Sequence, residues 1–135
     1  MQKLEDDHRC FACGAENPTG LRLVFQAGGQ KNGVTAFFTP EKEFQGYKGI
    51  VHGGIISTLL DEAMAHAAIR SGYMPVTAEI SIRFKNALPV GQKVQVEGWI
   101  EGPPAHRLIE AASELKTWPE GKLVATAKAK LLQPE

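Results

Sequence analysis

The chain has 135 residues, 15 of them Lys or Arg and 15 Asp or Glu, so its formal net charge at pH 7 is zero. This length lets one domain bury a core without disulfide bonds, and the balanced charge argues against nucleic acid or a membrane surface as a partner. Because we find neither a signal-peptide pattern nor an apolar run long enough to span a bilayer, we expect a soluble, cytoplasmic protein.

The two cysteines, Cys10 and Cys13, are spaced C-x-x-C in a segment rich in turn-forming residues. A structural zinc site usually needs four Cys or His ligands, and a redox pair usually opens a helix beside a βαβ unit. The pattern therefore favours ordinary thiols in an N-terminal loop over residues 1–20, with no metal and no cofactor. If a metal does bind, His8 is the third ligand and the fourth is unidentified.

A β-hairpin is predicted after this loop. Leu21, Leu23 and Phe25 alternate with more polar positions, as in a strand with one buried face. Residues 28–33 are rich in glycine, and residues 34–39 have β-forming side chains. Two such strands separated by a turn signal predict a hairpin.

From Gly53 the apolar period changes to three and four residues, which predicts a largely buried helix that stops at Gly72. Its apolar positions are Ile56, Leu59, Leu60, Ala63, Met64, Ala67 and Ala68. Asp61 lies in this run, and a buried carboxylate without a partner is costly. The Asp61 carboxylate either accepts a hydrogen bond from a neighbour such as Ser57 or has a functional role.

Four further β-segments follow the helix, around residues 80–85, 94–97, 107–118 and 123–131, each bounded by turn residues. The order of two strands, one helix and four strands predicts an α+β fold, with an antiparallel six-stranded sheet wrapped around one long central helix. The outer sheet face and the two sheet edges still need cover, so we expect self-association as a dimer.

His52, Gly53 and Gly54 stand at the predicted start of the helix. Asp61 follows Gly53 by eight residues, which is about 12 Å along a helix that rises 1.5 Å per residue. Backbone donors at Gly53 and a carboxylate at Asp61 are therefore too far apart to touch one small reacting group. Either Asp61 is merely tolerated, or it acts on a substrate bound beside another chain's helix start.

Three motifs have a recognisable pattern: GIVHGG (49–54) leading into LLDEAMA (59–65), CFACG (10–14) followed by NPTGL (17–21), and RFK (83–85) followed by PVG (89–91). Together with the strand order, they resemble the hotdog-fold acyl-CoA thioesterases, in particular the phenylacetate-pathway (PaaI-like) branch. The resemblance covers essentially the whole chain. It implies a single hotdog thioesterase domain over residues 1–135, assembled as a homodimer or a dimer of dimers.

The resemblance also implies a mechanism, the hydrolysis of an acyl-CoA thioester to free acid and CoA. In this family the amide at the position of Gly53 polarises the thioester carbonyl, and helix N-terminal amides suit such a developing oxyanion. Gly54, like Gly53, lets the substrate approach closely. The carboxylate at the position of Asp61, from the neighbouring subunit, is the nucleophile or the base that activates water. A thiol of pKa about 8.5 leaves without a strong general acid.

His52 consequently has no obligatory proton-transfer role. It either fixes the loop and lines the site or contacts the substrate directly. Glu62 is the second candidate for the catalytic carboxylate, because some family members have the acidic residue shifted by one position. Glu62 also faces His66 at i, i+4, which is more typical of a helix-surface pair than of a metal site.

One position departs from the family pattern. Several members place an Asn or Gln six residues before the histidine, where it orients the attacking water, and here that position is Gly46. Gln45 is the candidate for this role through a one-residue shift in the loop. Thr77, at the start of the strand after the helix, is a candidate to hydrogen-bond the carboxylate.

Arg83 and Lys85 lie two residues apart and so share a sheet face. They are either part of a solvated outer face or the cations that meet the phosphates of CoA. The residues proposed for the pantetheine and acyl tunnel, which are equally compatible with an ordinary core, are Phe44, Tyr47, Ile50, Met64 and Ala68.

Two alternative functions remain at this stage. EAMAH (62–66) loosely resembles the helix of acyl-carrier-protein dehydratases, which favours a hotdog dehydratase or isomerase, but the loop over 43–46 lacks the histidine of those enzymes. A non-catalytic acyl-CoA-binding module is the third possibility. Dehydration of a 3-hydroxyacyl thioester would identify a dehydratase. Tight acyl-CoA binding without thiol release would identify a binding module.

Overall fold

The computed structural model describes residues 3–30 and 32–134. These residues form the helix α1 (Gly53–Arg70) and the strands β1 (Gln26–Ala27), β2 (Val34–Phe38), β3 (Val76–Phe84), β4 (Val94–Ile100), β5 (Leu108–Thr117) and β6 (Leu123–Leu132), with a short 3-10 turn at Lys42–Phe44. The predicted order of two strands, a helix and four strands is confirmed. No helix in these ranges is both long and apolar enough to cross a membrane.

The six strands form one sheet in the order β1-β2-β4-β5-β6-β3, and every neighbouring pair is antiparallel. Helix α1 lies across one face and packs chiefly against β4 and β5. The predicted antiparallel sheet around a central helix is therefore confirmed. The side of α1 that faces the sheet lies fully in the core, since Leu59, Leu60, Ala63 and Met64 have no exposed surface.

Close approach of the helix to the sheet depends on a glycine in β4. A Cβ atom built on Gly98 would overlap the carbonyl group of Ala63 on α1 and approach the Ala63 Cβ to 2.9 Å. On the neighbouring strand, the buried hydroxyl of Ser113 donates a hydrogen bond of 3.0 Å to the carbonyl oxygen of Leu60. Small residues on both sides of this contact thus let the helix backbone rest on the sheet.

The strand predicted from the alternation at residues 21–26 is wrong over most of its length, because β1 comprises only Gln26 and Ala27. Leu21 and Leu23 are buried, as the alternation predicts. Their N–H groups, however, donate to the carbonyl groups of Phe11 and Ala12, each at 2.9 Å. Arg22 between them has a φ of 54°, in the left-handed region, which interrupts an extended strand. The alternation reflects packing with the N-terminal loop.

Strand β3 forms an exposed edge of the sheet. Seven of its nine residues are exposed, including Ile80 at 37% and Phe84 at 55%. The opposite edge is β1, which has two residues. A long edge strand with unpaired backbone groups is a surface on which another strand can pair.

We expect Gly98→Ala to lower the free energy of unfolding by about 1–3 kcal/mol, because the added methyl group overpacks the contact with Ala63. Gly46→Ala is the matched control, since its Cβ would lie 3.4 Å from the nearest atom, the His52 Cα. Urea denaturation of both variants checks the prediction. A Gly98→Ala protein as stable as the control would show that the helix does not rest on this glycine.

Candidate functional site

His52 caps the N-terminus of α1. Its backbone is extended, with φ −62° and ψ 135°, and its Nδ1 atom accepts a hydrogen bond of 2.8 Å from the Gly54 N–H. An acceptor at Nδ1 corresponds to a neutral imidazole with its proton on Nε2. The structure thus gives His52 a role in fixing the helix start, one of the two roles left open by the sequence. A direct substrate contact stays a prediction.

Of the two glycine N–H groups at the start of α1, that of Gly54 is already hydrogen-bonded, and that of Gly53 has no acceptor among the described residues. The Gly54 N–H is already bonded to His52, and the N–H groups of Ile55 and Ile56 donate to the His52 carbonyl at 3.0 and 3.3 Å. Within the part of the chain that the structure describes, the Gly53 N–H has no acceptor. The Phe84 ring lies beside Gly53, where a Cβ would be 3.6 Å from the ring. The amide available to a ligand is therefore that of Gly53, at the positive end of the helix dipole.

Asp61 lies half-buried on α1, and its side chain is hydrogen-bonded to a side chain of β3. The Thr77 hydroxyl donates a hydrogen bond of 2.7 Å to Asp61 Oδ1, while Ser57, the neighbour considered from the sequence, donates instead to the carbonyl of Gly53 at 2.8 Å. Burial raises the pKa of Asp61; the hydrogen bond from Thr77 opposes this shift, and the negative charge of Glu62 adds to it. The carboxylate is thus oriented by Thr77 and made more basic by its surroundings.

A groove of about 400 Å³ lies between α1, β3 and the N-terminal loop. Its lining residues are Cys10, Phe11, Ala12, Ser57, Thr58, Asp61, Glu62, Ile80 and Ile82. The lining is mainly apolar, with Asp61 and Glu62 as its charged side chains, and Gly53 is not part of it. This groove therefore contains the carboxylate but not the Gly53 amide of the same chain, which agrees with their separation of about 12 Å along the helix.

Glu62, the residue after Asp61, is surrounded by different groups. Its Oε2 atom lies 3.4 Å from His66 Nε2 and accepts a hydrogen bond of 3.5 Å from the Cys10 thiol. The His66 ring stacks on Phe25 at 4.5 Å. Contacts with His66 and the two cysteines lower the pKa of Glu62 although burial opposes them, and burial and the Glu62 carboxylate raise the pKa of the Cys13 thiol.

The predicted pairing of Glu62 with His66 is confirmed, but its placement on the helix surface is wrong. The two side chains are only 16% and 25% exposed, because Cys10 of the N-terminal loop lies against Glu62 and the Phe25 ring stacks on His66. His8, predicted as a third metal ligand, lies elsewhere, with Nδ1 3.7 Å from Asp6 and both side chains exposed. The neighbour of the cysteines is Glu62, 52 residues after Cys10. A spacing search cannot detect a partner that only the fold brings close.

Gln45 takes part in the loop before the helix. Its Oε1 atom accepts a hydrogen bond of 3.0 Å from the Gly49 N–H, and its backbone forms a bridge with Val51. Gly46 lies against His52. In this arrangement the Gln45 side chain stabilises the loop, and a role in orienting water stays a prediction.

The remaining predicted substrate-binding residues lie in three different environments. Tyr47 is 90% exposed and Met64 is fully buried in the core. Arg83 is exposed on β3 and faces Thr126 of β6, on the sheet face opposite to the groove-lining Ile82. Lys85 directly follows the strand, and its N–H donates to the Val124 carbonyl at 2.8 Å. The structure does not bring these four residues together within one chain.

We expect His52→Ala to lower the free energy of unfolding by about 1 kcal/mol, because the Gly54 N–H loses its capping acceptor. His52→Asn should restore most of this loss, since asparagine is a favourable N-cap residue. Urea denaturation measures both. Equal stability of the alanine and asparagine variants would contradict a capping role.

A sequence model of the Thioesterase superfamily matches residues 48–102, which carry His52, Gly53 and Asp61. An uncharacterized mitochondrial protein of Candida albicans (strain WO-1) is 31% identical to the chain, and the similar region covers 78% of this chain and 51% of that protein. The human acyl-coenzyme A thioesterase THEM5 is 32% identical over 56% of this chain and 30% of that protein. The chain spans about half or less of the length of these curated relatives.

Solved structures with low sequence identity share the fold. A thioesterase superfamily protein superposes with a TM-score of 0.83 at 24% identity, covering 93% of this chain and 63% of that one. A Streptococcus mutans UA159 protein bound to acetyl CoA gives 0.75 at 20%, covering 83% and 88%. The E. coli PaaI protein from the phenylacetic acid degradation operon gives 0.76 at 17%, covering 85% and 81%. The chain therefore has the hotdog fold, and its residues 48–102 match the sequence model of the Thioesterase superfamily.

Proposed function

We propose that this chain is an acyl-CoA thioesterase of the PaaI-like branch, which hydrolyses a thioester to a free acid and CoA. The observation that carries the proposal is the Gly53 amide at the helix start, which has no acceptor among the described residues, combined with Asp61 held by Thr77 in a groove. The name of human THEM5 and the acetyl CoA bound to the S. mutans protein make an acyl-CoA the substrate class to test first.

The Gly53 amide is suited to polarise a thioester carbonyl. Attack at the carbonyl carbon forms a new C–O bond and moves the π electrons onto the oxygen, where an N–H at a helix N-terminus stabilises the charge. When the C=O bond re-forms, the C–S bond breaks and CoA leaves as a thiolate. Because the Gly54 N–H is bonded to His52, Gly53 is the donor in this proposal.

Asp61 is proposed to drive the attack, either as the base that takes a proton from water or as the nucleophile. Burial makes its ionised form a stronger base than an exposed carboxylate, and the Thr77 hydrogen bond holds it in one orientation. Glu62 is the weaker candidate, because its carboxylate already contacts His66 and Cys10. Asp61 therefore takes the catalytic role in this proposal.

The two halves of the site are proposed to come from different subunits. A dimer in which one copy supplies Gly53 and its partner supplies Asp61 removes the difficulty that a single helix holds them about 12 Å apart. The exposed edge strand β3 supports such pairing, because it carries unpaired backbone groups and apolar side chains at Ile80 and Phe84. We propose a homodimer or a dimer of such dimers.

The CoA nucleotide is proposed to bind near the end of β3. Arg83 and Lys85 flank Phe84 in the sequence, and the Phe84 ring lies beside Gly53. The CoA phosphates are therefore proposed to lie at this end of β3, with the two cations on the strand face opposite to that ring. The apolar part of the substrate would then reach the groove side of β3 at Ile80 and Ile82. Contacts from Tyr47, a single domain over residues 1–135 and a cytoplasmic location stay predictions.

We expect Gly53→Pro to lower kcat by about 100- to 1,000-fold, the usual effect of removing one oxyanion donor. Proline is tolerated at the first position of a helix, and the extended His52 backbone suits a residue before proline, so the variant removes the N–H while the helix remains. Gly53→Ala is the matched control, because it keeps the N–H and its Cβ has room beside Phe84. Hydrolysis of an acyl-CoA panel is followed by thioester absorbance.

Equal loss in the alanine and proline variants would contradict the oxyanion role. If the wild-type protein binds acyl-CoA without hydrolysing it, this result would contradict the proposed thioesterase activity and favour a non-catalytic acyl-CoA-binding module. Dehydration of a 3-hydroxyacyl-CoA would favour the dehydratase.

We expect Asp61→Asn and Gly53→Pro to be nearly inactive alone and to complement each other when mixed. In a mixed dimer one of the two sites has an intact amide and an intact carboxylate. Random mixing therefore restores about a quarter of the wild-type activity. The two proteins are unfolded, refolded together and assayed, with separately refolded samples as the control. Activity that stays at the level of the separate variants would place both groups of the site in one chain.

A further inference from the structure

A cluster of two thiols and a carboxylate lies at the groove, and two of its members, Cys10 and Glu62, belong to the groove lining. The ligand atoms of Cys10, Cys13 and Glu62 all lie within 4.8 Å of one another, and all three residues are partly buried. The proposed hydrolysis uses none of them. Thiolate sulfur and carboxylate oxygen are both ligand types that zinc accepts, and a zinc site with three protein ligands keeps its fourth position for water.

The distance between the Cys10 sulfur and the Glu62 carboxylate matches that between two ligands of a tetrahedral zinc ion. With Zn–S bonds of about 2.3 Å and Zn–O bonds of about 2.0 Å, a sulfur and an oxygen ligand lie about 3.5 Å apart. The Cys10 sulfur and Glu62 Oε2 are 3.5 Å apart. The cation would thus need little movement of Cys10 and Glu62.

The local backbone is arranged as a tight turn around the Cys10 sulfur. The Cys13 N–H points to this sulfur at 3.5 Å, and the Gly14 N–H donates to the Cys10 carbonyl at 2.8 Å. A Cβ on Gly14 would lie 2.6 Å from that carbonyl oxygen, so the turn requires glycine. An N–H group directed at a sulfur is the kind of outer contact that stabilises a metal-bound thiolate.

His66 supplies a further contact to the cluster. Its Nε2 atom is 3.4 Å from Glu62 Oε2, yet it is buried and makes no hydrogen bond of good geometry within residues 3–30 and 32–134. Stacking on Phe25 holds the ring in place. A ligating carboxylate is usually supported by such an outer partner.

We propose that Cys10, Cys13 and Glu62 bind one Zn²⁺ ion, with His66 supporting the Glu62 carboxylate and a water molecule as the fourth ligand. Binding displaces the two thiol protons to solvent, so that two thiolates and one carboxylate around Zn²⁺ give the site a net charge of −1. Thiolates favour zinc over magnesium or calcium. The ion would fasten the N-terminal loop, which contributes Cys10, Phe11 and Ala12 to the groove wall, onto α1.

The test uses the full chain, treated with a chelator under reducing conditions and then titrated with Zn²⁺ alone. We expect one zinc per chain by equilibrium dialysis with elemental analysis. We also expect a rise in melting temperature with added Zn²⁺. With Co²⁺ as the probe, thiolate ligation should give a sulfur-to-cobalt charge-transfer band and the visible bands of a tetrahedral ion. These measurements do not involve hydrolysis, so the proposed zinc site and the proposed thioesterase activity can be contradicted independently of each other.

Cys13→Ser and Glu62→Gln should weaken zinc binding at least 100-fold, and His66→Gln about 10- to 100-fold, the usual effect of losing an outer-shell partner. His8→Ala is the matched control and should bind zinc as the wild type does, because His8 lies beside Asp6. Wild-type protein that binds no zinc, or a Cys13→Ser variant that retains full affinity, would overturn the proposal. Because the cobalt spectrum is recorded on the wild type, the test holds even if a variant fails to fold.

Discussion

The rigidity of one buried helix sets the geometry of the whole candidate site. Because α1 is continuous from Gly53 to Arg70, the amide at its start and the carboxylate of Asp61 are separated by about 12 Å and cannot approach each other. The helix packs closely on β4, where Gly98 meets Ala63. A reaction that needs both groups therefore requires a second copy of the helix.

Two neighbouring carboxylates of the helix, those of Asp61 and Glu62, contact different groups. Asp61 is bonded to Thr77 on β3, whereas Glu62 contacts Cys10 and His66 under the N-terminal loop. Successive residues of a helix point about 100° apart, which is why adjacent carboxylates meet different partners. Both carboxylates line the groove, but that of Asp61 is held by a single hydroxyl, whereas that of Glu62 lies against a thiol and an imidazole.

Periodic patterns predicted the elements that bury a regular face. The helix follows its period of three and four residues and strands β4 and β6 follow their alternation, and the glycine stop agrees with a φ of 97° at Gly72. The same reasoning failed at residues 21–25, because burial under a loop leaves the same alternation as burial in a sheet. It also missed the contact of Glu62 with Cys10, 52 residues away, and the use of the Gly54 amide by His52, since both depend on side-chain geometry.

Ile80 and Ile82 belong to two surfaces at once. They line the groove beside Asp61, and they lie on the edge strand that the proposed dimer would pair. A substitution that reshapes the groove for a longer or bulkier acyl group therefore also alters the surface between subunits. Changes in substrate range and changes in assembly are for this reason not independent, and a chain that diverges in one is expected to need compensating changes in the other.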